Sequence, residues 1–310
     1  MDSKVSVNIL NFNTYDKTCL CIDSCLQQDY SNFRVLLIDN ASTDNSFNRI
    51  KEKYGDLIEY YQTGSNYGYA GGNNLGVKKN IEDGYDYTFM LNSDTELVGK
   101  DLILSLINIM HEYNDCGIAA PLIYDDTRYG KQMIINESFY VKILRFFKVL
   151  PSNNIISGII ETKSEAHGSA LLVDNNKFVS CGGFPEHFFM YAEESTLSKK
   201  MIWSGNKIYW QKNPSLYVLH HHDTTTKLEP WRLYLMGRNA SLEYLENKKC
   251  QSSLWAFAFM IFAFRSLVRF FKKESRSHFK GLIDGFILYY KGYDKSFIYN
   301  QGKESMIKIV

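Results

Sequence analysis

A chain of 310 residues can bury a full hydrophobic core, and a net charge of +1 removes any global electrostatic case for nucleic acid as a partner. Aromatic residues at 15% against only 5 prolines exclude a disordered or low-complexity chain. Six cysteines (Cys19, Cys21, Cys25, Cys116, Cys181 and Cys250) are too sparse for a secreted disulfide scaffold and fit a reducing compartment.

The opening Met-Asp-Ser-Lys runs straight into a strand pattern, so no cleaved leader is expected. Val5, Val7 and Ile9 alternate with Ser6 and Asn8, which predicts a first strand delivering Asn11, Phe12, Asn13 and Thr14 to a loop. Tyr15 to Gln28 reads as a helix, where small buried residues explain the cysteines better than a metal cluster does. Arg34 to Ile38 predicts a second strand stopping at Asp39 and Asn40, followed by a helix from Ser46 to Tyr54 that Gly55 closes. Leu57 to Gln62 is a third strand. Asn66 to Asn74 carries Gly68, Gly71 and Gly72 and reads as a loop able to approach a ligand closely, with a helix after it to about Asn80. Tyr85 to Leu91 forms a fourth strand that stops at Asn92, Ser93 and Asp94. An apolar helix over Lys100 to Tyr113 and a strand over Ile118 to Tyr124 complete a strand-helix alternation, the pattern of an α/β doubly wound, mostly parallel sheet.

In such sheets ligands collect beyond the C-terminal ends of strands, which is where Asp39 and Asp94 stand. Asp94, with Asn92 on the same side, suits a hard cation and the diphosphate it bridges. Asn-Ser-Asp is equally ordinary turn and helix-cap chemistry. A dinucleotide fingerprint would need G-x-G-x-x-G after the first strand, where Asn-Phe-Asn-Thr stands instead, so a Rossmann dehydrogenase is disfavoured.

From Asp125 to Ser157 the periodicity is lost, as in an insertion. Ser169 to Val173 predicts a further strand, and Cys181 to Pro185 a turn. Glu186 to Glu194 then leads into a helix over Ser195 to Trp203, ended by Gly205. Short strands over Lys207 to Trp210 and Leu216 to Leu219 follow, the second stopping at His220, His221 and His222. Glu193 and Glu194 are placed either for acid-base work or simply to open a helix favourably. Past an apolar run over Leu254 to Phe264, too short to span a bilayer, Arg265, Arg269, Lys272, Lys273 and Arg276 recur at helical spacing. Phe264, Leu267, Val268 and Phe271 take the other side, as in a basic helix lying on an anionic membrane, or in a core-packing helix with a solvated basic face.

Taken in order from about Lys4 to Asn239, these pieces resemble the inverting, nucleotide-sugar-dependent glycosyltransferases of family 2, in particular the rhamnosyltransferase-like enzymes of bacterial surface polysaccharide synthesis. The residues that carry the likeness are 7 to 13 (Val-Asn-Ile-Leu-Asn-Phe-Asn), 37 to 46, the Gly-rich 66 to 76, 91 to 95 (Leu-Asn-Ser-Asp-Thr), 188 to 194 (Phe-Phe-Met-Tyr-Ala-Glu-Glu), 218 to 220 (Val-Leu-His) and 237 to 239 (Gly-Arg-Asn). The resemblance implies a GT-A type fold over residues 1–230 with a helical, membrane-associating segment over 231–310. It implies that Asp39 binds the base or ribose and that Asn11, Asn13, Asn40, Gly72, Asn73, Asn92 and Ser93 help hold the donor. Asn92-Ser93-Asp94 stands where the family has D-x-D, which makes Asp94 the ligand of a divalent cation (Mg²⁺ or Mn²⁺), and His220 approaches the same cation or the diphosphate.

Glu194, at the second acid of the family's Glu-Asp pair, becomes the base that deprotonates the acceptor. Tyr191, Glu193 and Arg238 then serve the acceptor or a phosphate, although a plain surface arginine is the alternative for Arg238. Where the family carries another acid, this chain has Thr196. The implied partners are a dTDP- or UDP-sugar, possible rhamnose among them by subgroup likeness alone, and a glycan or lipid-linked oligosaccharide. The implied place is the inner face of the cell membrane, on an anionic surface. A sugar-nucleotide-binding scaffold without turnover, and a nucleotidyltransferase, are the rival readings; the second lacks a basic Gly-rich loop after the first strand.

Overall fold

The computed structural model describes residues 3–127, 130–133, 154–157, 160–163, 165–221, 229–246, 256–257, 259–261, 263–264, 267 and 276–292. In chain order the elements begin β1 (Val5–Asn11), α1 (Tyr15–Cys25), β2 (Phe33–Asp39), α2 (Ser46–Tyr54), β3 (Glu59–Gln62), α3 (Gly68–Glu82), β4 (Tyr87–Asn92), β5 (Thr95–Val98) and α4 (Leu102–Glu112). They continue with β6 (Cys116–Ala120), β7 (Leu122–Thr127), β8 (Gly130–Met133), β9 (Asn154–Ser157), β10 (Ile160–Lys163), β11 (Ala170–Asp174) and α5 (Asn175–Ser180). The last are α6 (Glu193–Trp203), β12 (Lys207–Gln211), β13 (Tyr217–His220), α7 (Pro230–Glu246) and α8 (Arg276–Lys291).

The larger sheet has the order β3-β2-β1-β4-β11-β6-β12-β10-β9, in which β11 and β10 run opposite to the other strands. A smaller sheet runs β5-β13-β7-β8. The chain builds outward from β1 through β2 and β3, then returns to pair β4 on the other side of β1. That reversal opens a crevice at the C-terminal ends of β1 and β4. Register aligns the predicted ligand-bearing ends there, with Asn11 opposite Asp39 and Leu10 opposite Asn92.

One face of the sheet buries Val5, Val7, Ile9, Leu37, Phe89 and Leu91 with Cys21, Ile22 and Cys25 of α1 and Leu106 of α4. The cysteines are therefore core residues, as expected. On the opposite face the polar half of β1 is not solvated. Asn80 of α3 donates to Asn8 and to Thr88, and Thr88 donates to Asn175, which makes a buried polar ladder beneath the helix. These bonds offset most of the cost of burying the ladder, and Asn8 Nδ2 is left without a partner.

The Gly-rich segment is mostly the first two turns of α3 rather than a loop. Its closeness is to the sheet: a Cβ on Gly72 would lie 2.6 Å from Leu10 Cδ1, and one on Gly76 2.5 Å from Asn8 Nδ2. Gly68 is different, having φ +67 and sitting against the Phe189 carbonyl, a position and a backbone angle that both demand glycine. The strand expected over 118–124 is two strands in two sheets, divided at Pro121, which has no N–H to continue a ladder. The third strand begins only at Glu59, after a 3₁₀ turn over Gly55–Leu57, and α6 begins at Glu193, so both acids lie in its first turn. Strand β5 and helix α5 were not anticipated. Most of the aperiodic 125–157 stretch lies outside the described residues.

Residues beyond 230 are joined to the rest by buried bonds. Asn239 Nδ2 donates to the carbonyls of Phe188, Met190 and Tyr191 at 2.8–3.1 Å, and Glu243 accepts from Lys199 at 2.6 Å. Helix α8 crosses α7 with backbones nearly touching, since a Cβ on Gly237 would strike the His278 carbonyl and one on Gly281 the Tyr234 carbonyl. Most of the expected basic helix, including Arg265, Val268, Arg269, Phe271, Lys272 and Lys273, lies outside the described residues. Among the described ones, Phe257, Met260, Phe264, Leu267, Ile283, Ile287 and Tyr290 are exposed, and no helix is long and apolar enough to cross a membrane.

Candidate functional site

The crevice is a cleft of about 220 Å³ lined by Leu10, Phe12, Asn40, Asn66, Gly68, Tyr69, Asn92, Ser93, Asp94 and Met190. Its β1 and β2 side is a closed hydrogen-bond net. Asn11 Nδ2 donates to Asp39 Oδ1 at 3.0 Å, and Asn11 Oδ1 accepts from Thr14 and Thr18. Asp39, 1% exposed, takes the Ser42 amide on its other oxygen. Asn13, at φ +56, binds Thr43 through amide and carbonyl, and its own N–H reaches Ser42. Asn40 ties the strand end to α3: its Nδ2 donates to Asn66 Oδ1 and the Gly68 carbonyl, and its Oδ1 accepts from the Tyr67 amide. Thr14 and Ser93 meet at 2.9 Å, locking the β1 loop to the β4 loop.

Asp94 follows β4, and His220 ends β13 in the second sheet. The two meet at 3.4 Å between Oδ1 and Nε2. The other ring nitrogen of His220 lies 2.9 Å from Asp125 Oδ1, so the imidazole is held between two carboxylates. Burial alone would raise the Asp94 carboxyl, but the His220 bond and charge, with Lys17 behind, hold it below its ordinary range. Burial works against the His220 imidazolium, and the two carboxylates more than offset it, raising the ring above its ordinary value. Neighbouring ligands about 2.1 Å from an octahedral cation are roughly 3 Å apart, so the Asp94 and His220 atoms fit two positions of one ion, with Asp125 orienting the ring. Among the described residues no third His, Cys, Asp or Glu completes such a group. His221 turns elsewhere, to Glu96 and Asp126, and His222 lies outside the described residues.

Across the cleft stands a strained corner. Phe189, Tyr191 and Ala192 have φ of +68, +73 and +70, a conformation costing about 1–3 kcal/mol at each non-glycine residue. Asn239 clamps three of this corner's carbonyls, and the first turn of α6 follows it directly. Glu193, 4% exposed, has an Oε2 with no hydrogen-bond partner. Burial, then the Glu194 charge, holds Glu193 well above the usual carboxyl range. Burial also raises Glu194, and the Glu243 charge adds to it. Glu194 shares the neighbourhood of Gly168 with a cleft residue, since a Cβ there would be 3.5 Å from both the Glu194 carboxyl carbon and the Tyr69 hydroxyl. Burial, with the charges of Glu194 and Glu193, pushes Tyr69 well up. Tyr191 is pushed to about 12 by burial, against the pull of Arg232.

Asn40, Asn92, Ser93 and Asp94 thus line the cleft, with Asn11, Asn13 and Asp39 braced behind it; Tyr191, Glu193 and Glu194 do not line it themselves but follow the lining residue Met190, Glu194 lying near the lining residue Tyr69. Gly72 and Asn73 do not reach it: Gly72 packs on Leu10, and Asn73 is buried with its Nδ2 on the Tyr69 carbonyl. Arg238 is corrected as well. It is 0% exposed, and its guanidinium donates to Asn239 Oδ1 and the Phe188 carbonyl beneath the strained corner, so it is not a surface arginine and does not line the cleft. Residues missed include Tyr69, Met190, Asp125 and Arg232. The Arg232 Nε and the neighbouring Trp231 Nε1 are enclosed without hydrogen-bond partners beside Tyr191. Asp125 sat in a stretch with no period to flag it, whereas Trp231-Arg232 at the start of a helix was a legible signal.

The sequence profile described as Glycosyl transferase family 2 matches residues 6–187. The low-salt glycan biosynthesis hexosyltransferase Agl10 of Haloferax volcanii is 32% identical over 142 residues, which cover 45% of this chain and 44% of Agl10. The chain therefore spans less than half of that relative. An N-acetylglucosaminyl-diphospho-decaprenol L-rhamnosyltransferase of Mycobacterium tuberculosis is 27% identical, over 63% of this chain and 69% of its own. Rhamnosyltransferase WbbL of Escherichia coli is 25% identical, over 74% and 88%. Among solved structures, GalNAc-T7 with UDP, GalNAc and Mn²⁺ superposes with a TM-score of 0.62 at 13% identity, covering 94% of this chain and 58% of that one. Staphylococcus aureus TarS 1-349 with UDP-GlcNAc gives 0.55 at 14% identity, covering 94% and 92%. The fold is the GT-A type.

Proposed function

The chain belongs to glycosyltransferase family 2, and we propose that it transfers a hexose or deoxyhexose from a nucleoside diphosphate to a hydroxyl of a glycan or lipid-linked acceptor, with inversion. The carrying observation is a cleft lined by Asn40, Asn92 and Asp94 over a preformed polar net, with His220 on Asp94 and two carboxyls of raised pKa on the helix turn that follows the cleft residue Met190. On this reading the uridine or thymidine diphosphate lies over Asp39, Asn40 and Asn92. Asp94 and His220 would hold a divalent cation, Mg²⁺ or Mn²⁺, which when bound stabilises the charge of the leaving diphosphate. The acceptor oxygen bonds to the anomeric carbon as the bond to the diphosphate oxygen breaks, and the acceptor proton passes to Glu194. A raised pKa makes Glu194 a stronger base near neutral pH. Glu193, its carboxyl held above the usual range by burial and the Glu194 charge, and Tyr191 orient the acceptor. Arg232 takes the anion-facing role that Arg238 cannot fill.

Names of relatives support the donor class. Rhamnosyltransferases among them favour a dTDP-deoxysugar, and the UDP-bound structural neighbours favour UDP. The exposed apolar row from Phe257 to Tyr290 supports seating on the cytoplasmic face of the cell membrane. Thermal shift and donor hydrolysis over dTDP- and UDP-sugars, with and without Mg²⁺ or Mn²⁺, test the proposal. Ligand binding raises stability by mass action, so a metal-dependent shift and turnover with one nucleotide are expected. Binding without turnover would point to a scaffold, and no shift would remove the nucleotide-sugar reading.

A further inference from the structure

We propose that Glu165 is a positioning residue for Glu194, acting as a protonated acid that donates to Ser195 and so holds the first turn of α6. This rests on reading Glu194 as the base. A count of protons carries it. Ser195 Oγ lies 2.8 Å from Glu165 Oε1, 2.9 Å from Glu243 Oε1 and 2.9 Å from Lys199 Nζ. A hydroxyl has one proton to donate and two lone pairs to accept with. Lys199, 1% exposed, lies 2.6 Å from Glu243 Oε1, and Thr196 donates to the same oxygen, so that oxygen is an acceptor. The Ser195 proton therefore goes to Glu243. Two carboxylate oxygens cannot both face a hydroxyl whose single proton is spent, so Glu165 supplies its own. Ser195 then accepts from Glu165 and Lys199 and donates to Glu243, with every site filled.

The array sits against the proposed base. Ser195 follows Glu194 in the chain, and Glu165 is anchored on β12 by Trp210 Nε1 donating to its carbonyl. The groups facing the Glu165 carboxyl are Ser195, Lys199 and Glu194 of α6 and Glu243 of α7. Burial brings the Glu165 carboxyl up to about 7, with Lys199 opposing and Glu243 and Glu194 adding. Its ionisation removes the donor to Ser195 and puts a second negative charge beside Glu194. The unpartnered Oε2 of Glu193 lies in the same turn.

The test is the pH profile of donor hydrolysis, using UDP- and dTDP-sugars, for the parent, Glu165→Gln, Glu165→Ala and Glu194→Gln. A glutamine amide can donate to Ser195 and cannot ionise. The parent should lose roughly two- to tenfold in kcat as pH rises through neutrality, the worth of one net hydrogen bond. Glu165→Gln should lose that descending limb, and Glu165→Ala should be low throughout with the donor KM unmoved. An unchanged limb in Glu165→Gln overturns the inference while leaving the base reading intact. Turnover persisting in Glu194→Gln overturns the base reading, and the positioning role with it. A readout independent of turnover is the stability of the parent relative to Glu165→Gln: it should decline as pH rises toward 7, and a constant difference would also overturn the inference.

Discussion

On the donor wall, Asn11, Asn13, Asp39 and Asn40 are held by partners in adjacent strand ends and their loops, and their hydrogen bonds are made before any ligand arrives. On the opposite wall, Glu193 and Glu194 follow three non-glycine residues at positive φ, one has an unpartnered oxygen, and the brace comes from Asn239 and Glu243 far along the chain. On the proposed function the contrast separates two tasks. Holding a nucleotide needs a rigid polar surface that parallel strand register supplies at little cost. Removing a proton needs enclosed carboxyls, whose desolvation and strain must be opposed by distant packing.

Substitutions that strike one wall and spare the other sharpen this contrast. The largest effect short of losing the base is expected from Asp94→Ala, with turnover falling by about 10²–10³-fold and the metal dependence of donor binding lost, as steady-state kinetics with and without Mn²⁺ would show. Asn239→Ala should leave the Met190 and Tyr191 carbonyls of the strained corner without the Asn239 donor, lowering stability by about 2–4 kcal/mol while the nucleotide-induced thermal shift survives; denaturant titration and ligand shift together check this. Gly237→Ala forces α7 and α8 apart and should cost about 1–3 kcal/mol by the same titration, with little change at the donor wall.

The pH response follows from the acid wall. Glu165 and Glu193 have folded values above the ordinary carboxyl value of 4.5, so the folded state binds more protons than the unfolded one in that range. Their contribution is full below about 4.5 and is lost as pH rises through the raised folded values, about 7 for Glu165. Asp94, shifted the other way, contributes above its ordinary value and loses that contribution as pH falls. Thermal midpoints across pH should therefore decline toward neutrality, and Glu165→Gln should flatten part of that decline. His221→Ala, which breaks contacts to Glu96 and Asp126 outside the cleft, should change stability by only about 0.5 kcal/mol.

The polar net at the strand ends was legible in sequence because a strand end is a local signal. Apolar runs stopping at Asp39 and at Asn92-Ser93-Asp94 placed those groups at the crevice, and register did the rest. The Gly-rich segment misled because glycine marks close approach without saying to what; here the partner is the sheet itself, through Leu10 and Asn8. The surface-arginine reading of Arg238 failed because only tertiary packing shows that a charged side chain is fully enclosed. Glu165 gave no sign at all. Its environment is assembled from β12, α6 and α7, and no spacing within one stretch encodes that meeting.

The most direct measurement compares Glu194→Gln with the parent for two quantities in one preparation: donor turnover, and the thermal shift induced by UDP and dTDP with Mn²⁺. Division of labour between the walls predicts turnover down by about 10²–10⁴-fold with the nucleotide shift unchanged. Turnover retained, or turnover and nucleotide binding lost together in a folded protein, would contradict it.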